Sequence, residues 1–408
     1  MIRKLNKRMA VRILLSLCLL MPLKIYSQNV TDQLLEGRAL MDAGRFDEAV
    51  SSLTNALNVK QDGRLYAMRA EVLLRSKDLQ GAATDFQQAN KMIQGIGEYG
   101  LAKISALAGK TEEALNHLEK NINSPYQKSE KEIMLDPVFT SIENTPAWRQ
   151  FWKEERYSIF DRKISEIEYS LATKNNTEAL NIYKELASDY PGGNKTRYAL
   201  ALIENSNKRY QEAASLLAEI TSDERSNEGY LRLLARVQQA SGNPAGASVT
   251  YSRLLNLEVI DAELYIRRAE CYINTGEIQR ARNDIAKYLK LYPGDREALS
   301  LAGRIEGRSG DNLKAIDYYS QNLKLHPGDP ECYTDRASSY MAARSWQFAA
   351  DDYAMALDID PSDPDVWLNR GVALLNMGKV EDACYDFRKS LALGNRKASQ
   401  YISKNCIK

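Results

Sequence analysis

The sequence predicts an all-α solenoid built from about ten helical hairpins, on three observations. Alanine recurs at 179, 213, 247, 281, 315, 349 and 383, every step being 34 residues. Small and large residues keep fixed places inside each step. Proline is scarce, with 11 in 408 residues, which favours helix. A chain of this length exceeds one ordinary compact core, and a regular step of this size points to stacked supersecondary units.

The first 27 residues are set apart. MIRKLNKRMAVR carries five basic residues and no acid, and Ile13 to Leu23 is an uncharged, mostly apolar run of eleven. KIYS follows, so 1–27 reads as a secretory signal peptide cleaved after Ser27. The apolar run is short for a bilayer span, so no stable membrane span is expected after cleavage. Without that segment the chain has 49 basic and 54 acidic residues, a net charge of −5. Such a balance gives no electrostatic footprint for nucleic acid.

Residues 30–123 hold three units, with Ala49, Ala82 and Ala114 in the small position and Gly37, Ala70 and Ala102 twelve residues before each. Leu53, Phe86 and Leu118 sit four after. The third unit opens on the glycine-rich GIGEYG, which predicts a short or frayed first helix. Residues 124–159 carry Pro125, Pro137 and Pro146 and cannot be one regular hairpin. Thr145-Pro146 starts a helix whose Trp148, Phe151 and Trp152 share a face. That face reads either as an aromatic plug joining two arrays or as a patch that docks a partner.

Residues 160–397 hold seven gapless units, starting at Phe160, Asn194, Glu228, Ala262, Arg296, Pro330 and Pro364. The eighth position is small in six of seven, from Ala201 to Gly371. The twenty-fourth is large throughout: Tyr183, Leu217, Tyr251, Ile285, Tyr319, Tyr353 and Phe387. Small residues let two helices approach, and large ones form an apolar face. Gly242, Gly276, Gly310 and Gly378 mark the turn between them, and Pro191, Pro293, Pro327 and Pro361 end the second helix. Each hairpin cannot bury its own face, and stacking buries it. Residues 398–408 complete a closing helix, with Tyr401 and Ile402 inward.

The step of 34 resembles the tetratricopeptide repeat, as do Trp367, Gly371, Gly378, Ala383 and Phe387 in the last unit and Tyr333, Ala337, Tyr340, Ala349, Tyr353, Ala356 and Pro361 before it. The resemblance implies a right-handed superhelix. It also implies a partner peptide or helix bound in a groove lined by first helices, mostly at positions 2, 5, 9, 12 and 13. Positions 5 and 9 of the first three units are Leu34 and Arg38, Ala67 and Glu71, and Tyr99 and Lys103. The asparagines with which some relatives clamp a chaperone's terminal carboxylate are missing.

No HExxH, GxSxG, Walker loop or dinucleotide turn occurs, and GRSGD at 307–311 falls at a repeat's turn, so no enzyme is expected. With two histidines and no CxxC, neither a metal site nor a cofactor is expected. Beyond residue 27 the cysteines are Cys271, Cys332, Cys384 and Cys406. Free, partly buried thiols are the expected state, although Cys384 and Cys406 are the pair that an oxidising compartment can close. Five arginines cluster on first helices: Arg232, Arg236, Arg267, Arg304 and Arg308. Their forks suit an acidic peptide or a C-terminal carboxylate. The alternation Arg236, Glu270, Arg304 at position 9 equally suits a salt-bridge ladder between neighbouring helices.

The expected function is a non-enzymatic protein–protein adaptor of the cell envelope, exported to the periplasm of a bacterium. A self-assembling structural protein and an accessory subunit of an envelope enzyme or secretion complex are the alternatives.

Overall fold

Every ordered segment is helical because the sequence offers short apolar stripes between turn signals and no alternating runs. The computed structural model describes residues 30–406, and among them are 23 α-helices, one 3-10 helix and no strand. The expected signal peptide at 1–27 lies outside the described residues, as do 407–408. None of the described helices is long and apolar enough to cross a membrane.

The chain divides into two compact units. The first runs through Asn243 and adds Ser252–Asp261; the second comprises Pro244–Tyr251 and the chain from Ala262. In the first, α1 (30–42) and α2 (Phe46–Val59) pack with α3 (Gly63–Arg75) around Leu34, Leu53 and Leu65. Then come α4 (Leu79–Met92), α5 (Glu98–Leu107) and α6 (Thr111–Ile122). The glycine-rich start leaves α5 with ten residues, against 13 in α3. Three short helices follow: α7 (Glu130–Met134), the 3-10 turn Pro137–Ser141 and α8 (Pro146–Phe151). The hairpins of α9 (Ile159–Ala172) with α10 (Asn176–Asp189) and α11 (Asn194–Ser206) with α12 (Tyr210–Asp223) precede α13 (Glu228–Ala240). Helix α14 (Pro244–Asn256) is divided between the units.

The second unit continues with the hairpins α15 (Glu263–Thr275) and α16 (Ile278–Leu291), and α17 (Arg296–Arg308) and α18 (Asn312–Leu325). After them come α19 (Pro330–Ala342) and α20 (Trp346–Ile359), α21 (Pro364–Asn376) and α22 (Val380–Ala392), and the closing α23 (Ala398–Asn405). Asp295, Asp329 and Asp363 occupy the same place in successive repeats. Each caps the next first helix by accepting from a backbone N–H of its opening turn.

The columns of the repeat have a steric cause. A Cβ on Gly371 would stand 2.6 Å from the Phe387 ring, and one on Gly303 2.5 Å from Tyr319, so position 8 is small because position 24 lies on it. The turn between helices takes a left-handed residue in all seven gapless repeats. Gly242, Gly276, Gly310 and Gly378 have φ of 77°, 80°, 86° and 79°, and Lys174, Lys208 and Arg344 have 61°, 61° and 56° at the same position. Lysine and arginine there hide a turn that glycine elsewhere announces.

Helix α23 closes the array, with Tyr401 stacked on Phe387 at 4.9 Å. Cys384 and Cys406 are joined as a disulfide, their Cα atoms 5.7 Å apart. This corrects the expectation of free thiols for that pair: α23 folds back along α22, and the two sulfurs meet. Cys271 and Cys332 are free and buried, and burial pushes both thiols up to about 12.

Candidate functional site

A concavity of the first unit lies along consecutive first helices. Its volume is about 820 Å³, and α7, α9, α11 and α13 line it. The lining includes Asp161, Ile164 and Glu168 from α9, Lys195 and Tyr198 from α11, and Gly229 and Tyr230 from α13. Most of these are positions 2, 5 and 9 of their repeats, which face away from the second helices. Helix α7 closes one side with Lys131 and Met134. It is held there by the Tyr157 hydroxyl, which donates to the Lys128 carbonyl at 2.6 Å, and by a capping box between Ser129 and Glu132.

The site is aromatic and charged at once. The rings of Tyr198 and Tyr230 lie 4.8 Å apart, and burial pushes both phenols up to about 12. Tyr169, on the same wall, is 62% exposed. Burial works against the Asp161 carboxylate, but hydrogen bonds from Ser158 and Lys195 outweigh it and hold its pKa below the usual range. Desolvation raises Glu168, with Lys131 and Arg236 pulling it back only in part. The Nε of Arg162 is buried with no hydrogen-bond acceptor, while its Nη2 meets Glu155 at 3.0 Å.

The five arginines do not form one site. Arg232 and Arg236 belong to the first unit; Arg267, Arg304 and Arg308 belong to the second. Arg232 is occupied by Glu228 at 2.7 Å and Asp261 at 2.6 Å, and Arg267 by Glu297 at 2.6 Å and Glu270 at 3.5 Å. Arg308 donates to the Ile273 carbonyl at 2.8 Å. Arg267 and Arg308 reach the neighbouring repeat and Arg232 the end of its own, so all three have partners within the chain. Arg236 and Arg304 are exposed, and Arg236 acts on the groove through Glu168 and Tyr198.

The aromatic face of α8 is mostly turned inward. Trp148 and Phe151 are 4% and 6% exposed, and they pack with Phe139, Ile133 and Leu118. Trp152 is partly buried against them, with ring centroids 5.6 Å from Trp148 and 5.1 Å from Phe151. Three proline-punctuated turns cannot supply backbone regularity, so these rings fill the space instead. Trp148 and Phe151 are turned inward as a plug, with Trp152 partly exposed at its edge.

Sequence reasoning missed Tyr198 and Tyr230, because no residue type recurs at their positions. The available signal was local: tyrosines at positions 5 and 3 of adjacent first helices. Among the described residues no group of three or more His, Cys, Asp or Glu is placed to hold a metal.

Tetratricopeptide-repeat sequence models match residues 34–92, 170–227 and 266–330, and a second such model matches 353–385, together just over half of the chain. No protein of curated function matches in sequence. Among solved structures, a tetratricopeptide repeat protein from Parabacteroides merdae is 19% identical, covering 60% of this chain and 97% of its own, with a TM-score of 0.48. The APC/C hetero-tetramer Cut9–Hcn1 is 12% identical over 90% of this chain and 88% of its own, at 0.45. YrrB, described as a repeat protein with an unusual peptide-binding site, is 16% identical over 47% and 99%, at 0.39.

Proposed function

The chain belongs to the tetratricopeptide repeat family, a scaffold for protein–protein interaction, and from that premise we propose that it is a non-enzymatic adaptor gripping a segment of a partner in the groove of α9, α11 and α13. One observation carries the reading: three consecutive first helices, with α7 as a side wall, enclose about 820 Å³ lined by side chains at groove positions. A cavity of this size with a few convergent polar groups suits a short stretch of another chain.

The adaptor acts outside the cytoplasm, in the periplasm of a bacterial envelope. The basic and apolar start of the chain and the Cys384–Cys406 disulfide support export to an oxidising compartment.

Site-specific photocrosslinking in intact cells tests this. A photoreactive phenylalanine replaces Tyr169 in the groove or Phe348, which is 61% exposed on the second helix α20. A discrete adduct from position 169 and none from 348 is expected, in material released by osmotic shock. Equal adducts at both positions, or none at 169, overturn the groove reading. Retention of the protein with the cytoplasm overturns the export reading.

A further inference from the structure

Resting on the reading that the groove takes a partner segment, we propose that its occupant is an extended stretch of protein bearing a lysine or arginine beside an apolar side chain. The cation meets Glu168, and the apolar group lies against Tyr169 and Tyr198.

The charge pattern selects the cation. Five carboxylates and three cationic side chains line the cavity. Most of those carboxylates already have a lysine: Lys195 reaches Asp161 at 2.9 Å, Lys128 reaches Glu132 at 2.9 Å, and Lys163 reaches Glu166 at 3.7 Å. Glu168 has no ion pair within 4.0 Å among the described residues; its side chain opens into the concavity, whose surrounding walls disfavour its charge. Lys131 and Arg236 act on it from beyond contact. A carboxylate held in a partly desolvated groove without a partner gains most from a cation brought by a ligand. Tyrosine faces beside it favour the same charge.

An extended backbone, rather than a helix, fits the remaining polar group. Arg162 lines the cavity with its side chain 34% exposed, and Glu155 meets only its Nη2, so the guanidinium has N–H groups to offer an acceptor. A helical occupant has already spent its carbonyls on its own N–H groups, whereas an extended one presents them along its length. The apolar component follows from Ile164, Met134 and the tyrosines, which offer contact area and little hydrogen bonding.

The test uses the purified chain and three fluorescent peptides with the same Pro-Leu spacing, carrying Lys, Gln or Glu at every third position; proline keeps them extended. Anisotropy should show the Lys peptide binding tightest. Glu168→Gln should weaken it about tenfold, and Glu168→Lys should turn the preference towards the Glu peptide. Glu168 is exposed, so both variants keep the fold. If the Gln or Glu peptide binds as tightly as the Lys peptide, or the Lys preference survives Glu168→Gln, the basic occupant is wrong. Loss of that binding in Tyr169→Ala would still leave the groove reading standing. If no peptide binds, or Tyr169→Ala changes nothing, the groove reading falls and takes the proposal with it.

Discussion

Arg370 grips Asp386 with two parallel hydrogen bonds, Nε and Nη2 each donating to one carboxylate oxygen at 2.8 Å. The carboxylate is 1% exposed. The same clamp joins Arg69 to Asp85, Arg268 to Asp284 and Arg336 to Asp352, always across 16 residues, from the seventh position of a repeat to the twenty-third. It ties the first helix of a hairpin to its second by charge where the other columns tie it by shape.

Removing Arg370 alone strands a buried charge. Arg370→Ala should cost about 3–5 kcal/mol in urea unfolding, while Arg370→Met combined with Asp386→Leu should recover most of it. A double variant no better than the single would mean that the clamp contributes more than the burial of its charges removes.

Gly371→Ala should lower stability by about 1–2 kcal/mol, because the new methyl meets the Phe387 ring and the Ala383 carbonyl, which outweighs the gain in helix propensity. Combining it with Phe387→Leu should return part of the loss, and thermal unfolding of the two variants decides it.

The Cys384–Cys406 link spans 22 residues. Opening it should cost about 3 kcal/mol through the freedom regained by the unfolded chain. Dithiothreitol should therefore lower the melting temperature of the natural protein and leave Cys406→Ser unchanged, and amides of α23 should exchange faster in both reduced forms.

Burial raises Asp335 to about 6, against the pull of Arg304. A carboxyl raised in the folded state favours folding fully below its unfolded value, and that contribution is lost as pH rises through about 6. Asp335→Asn removes the penalty of the buried charge. Its melting temperature relative to the natural protein should be higher at about pH 8 than at about pH 4. A difference independent of pH would show that the carboxylate is solvated.

The repeat was legible because sterics wrote it in small residues: Ala383 and Gly371 stand where helices touch. The left-handed turns at Lys174, Lys208 and Arg344 were not, since their side chains point to solvent and leave the choice of residue open. The arginine cluster misled because a helix face read alone omits its counterions. Glu297, which occupies Arg267, comes from the next repeat, and Asp261, which occupies Arg232, from the far end of its own. The sequence named Cys384 and Cys406 as a possible pair but not their closure, which depends on α23 returning along α22. The clamp shows in the sequence only when two columns are compared together.

The clamp is also unevenly distributed. The three consecutive repeats from Phe160 carry Glu166, Leu200 and Leu234 in place of its arginine, and Ile182, Leu216 and Thr250 in place of its aspartate. Their first helices are the ones that line the groove. A stacked array yields where its local couplings are weakest. The three groove repeats therefore hold their hairpins by shape alone, as does the repeat from Arg296 with Ala302 and Tyr318, whereas the repeats of Arg268, Arg336 and Arg370 add a charge that a groove filled and emptied by a partner would not be free to disturb.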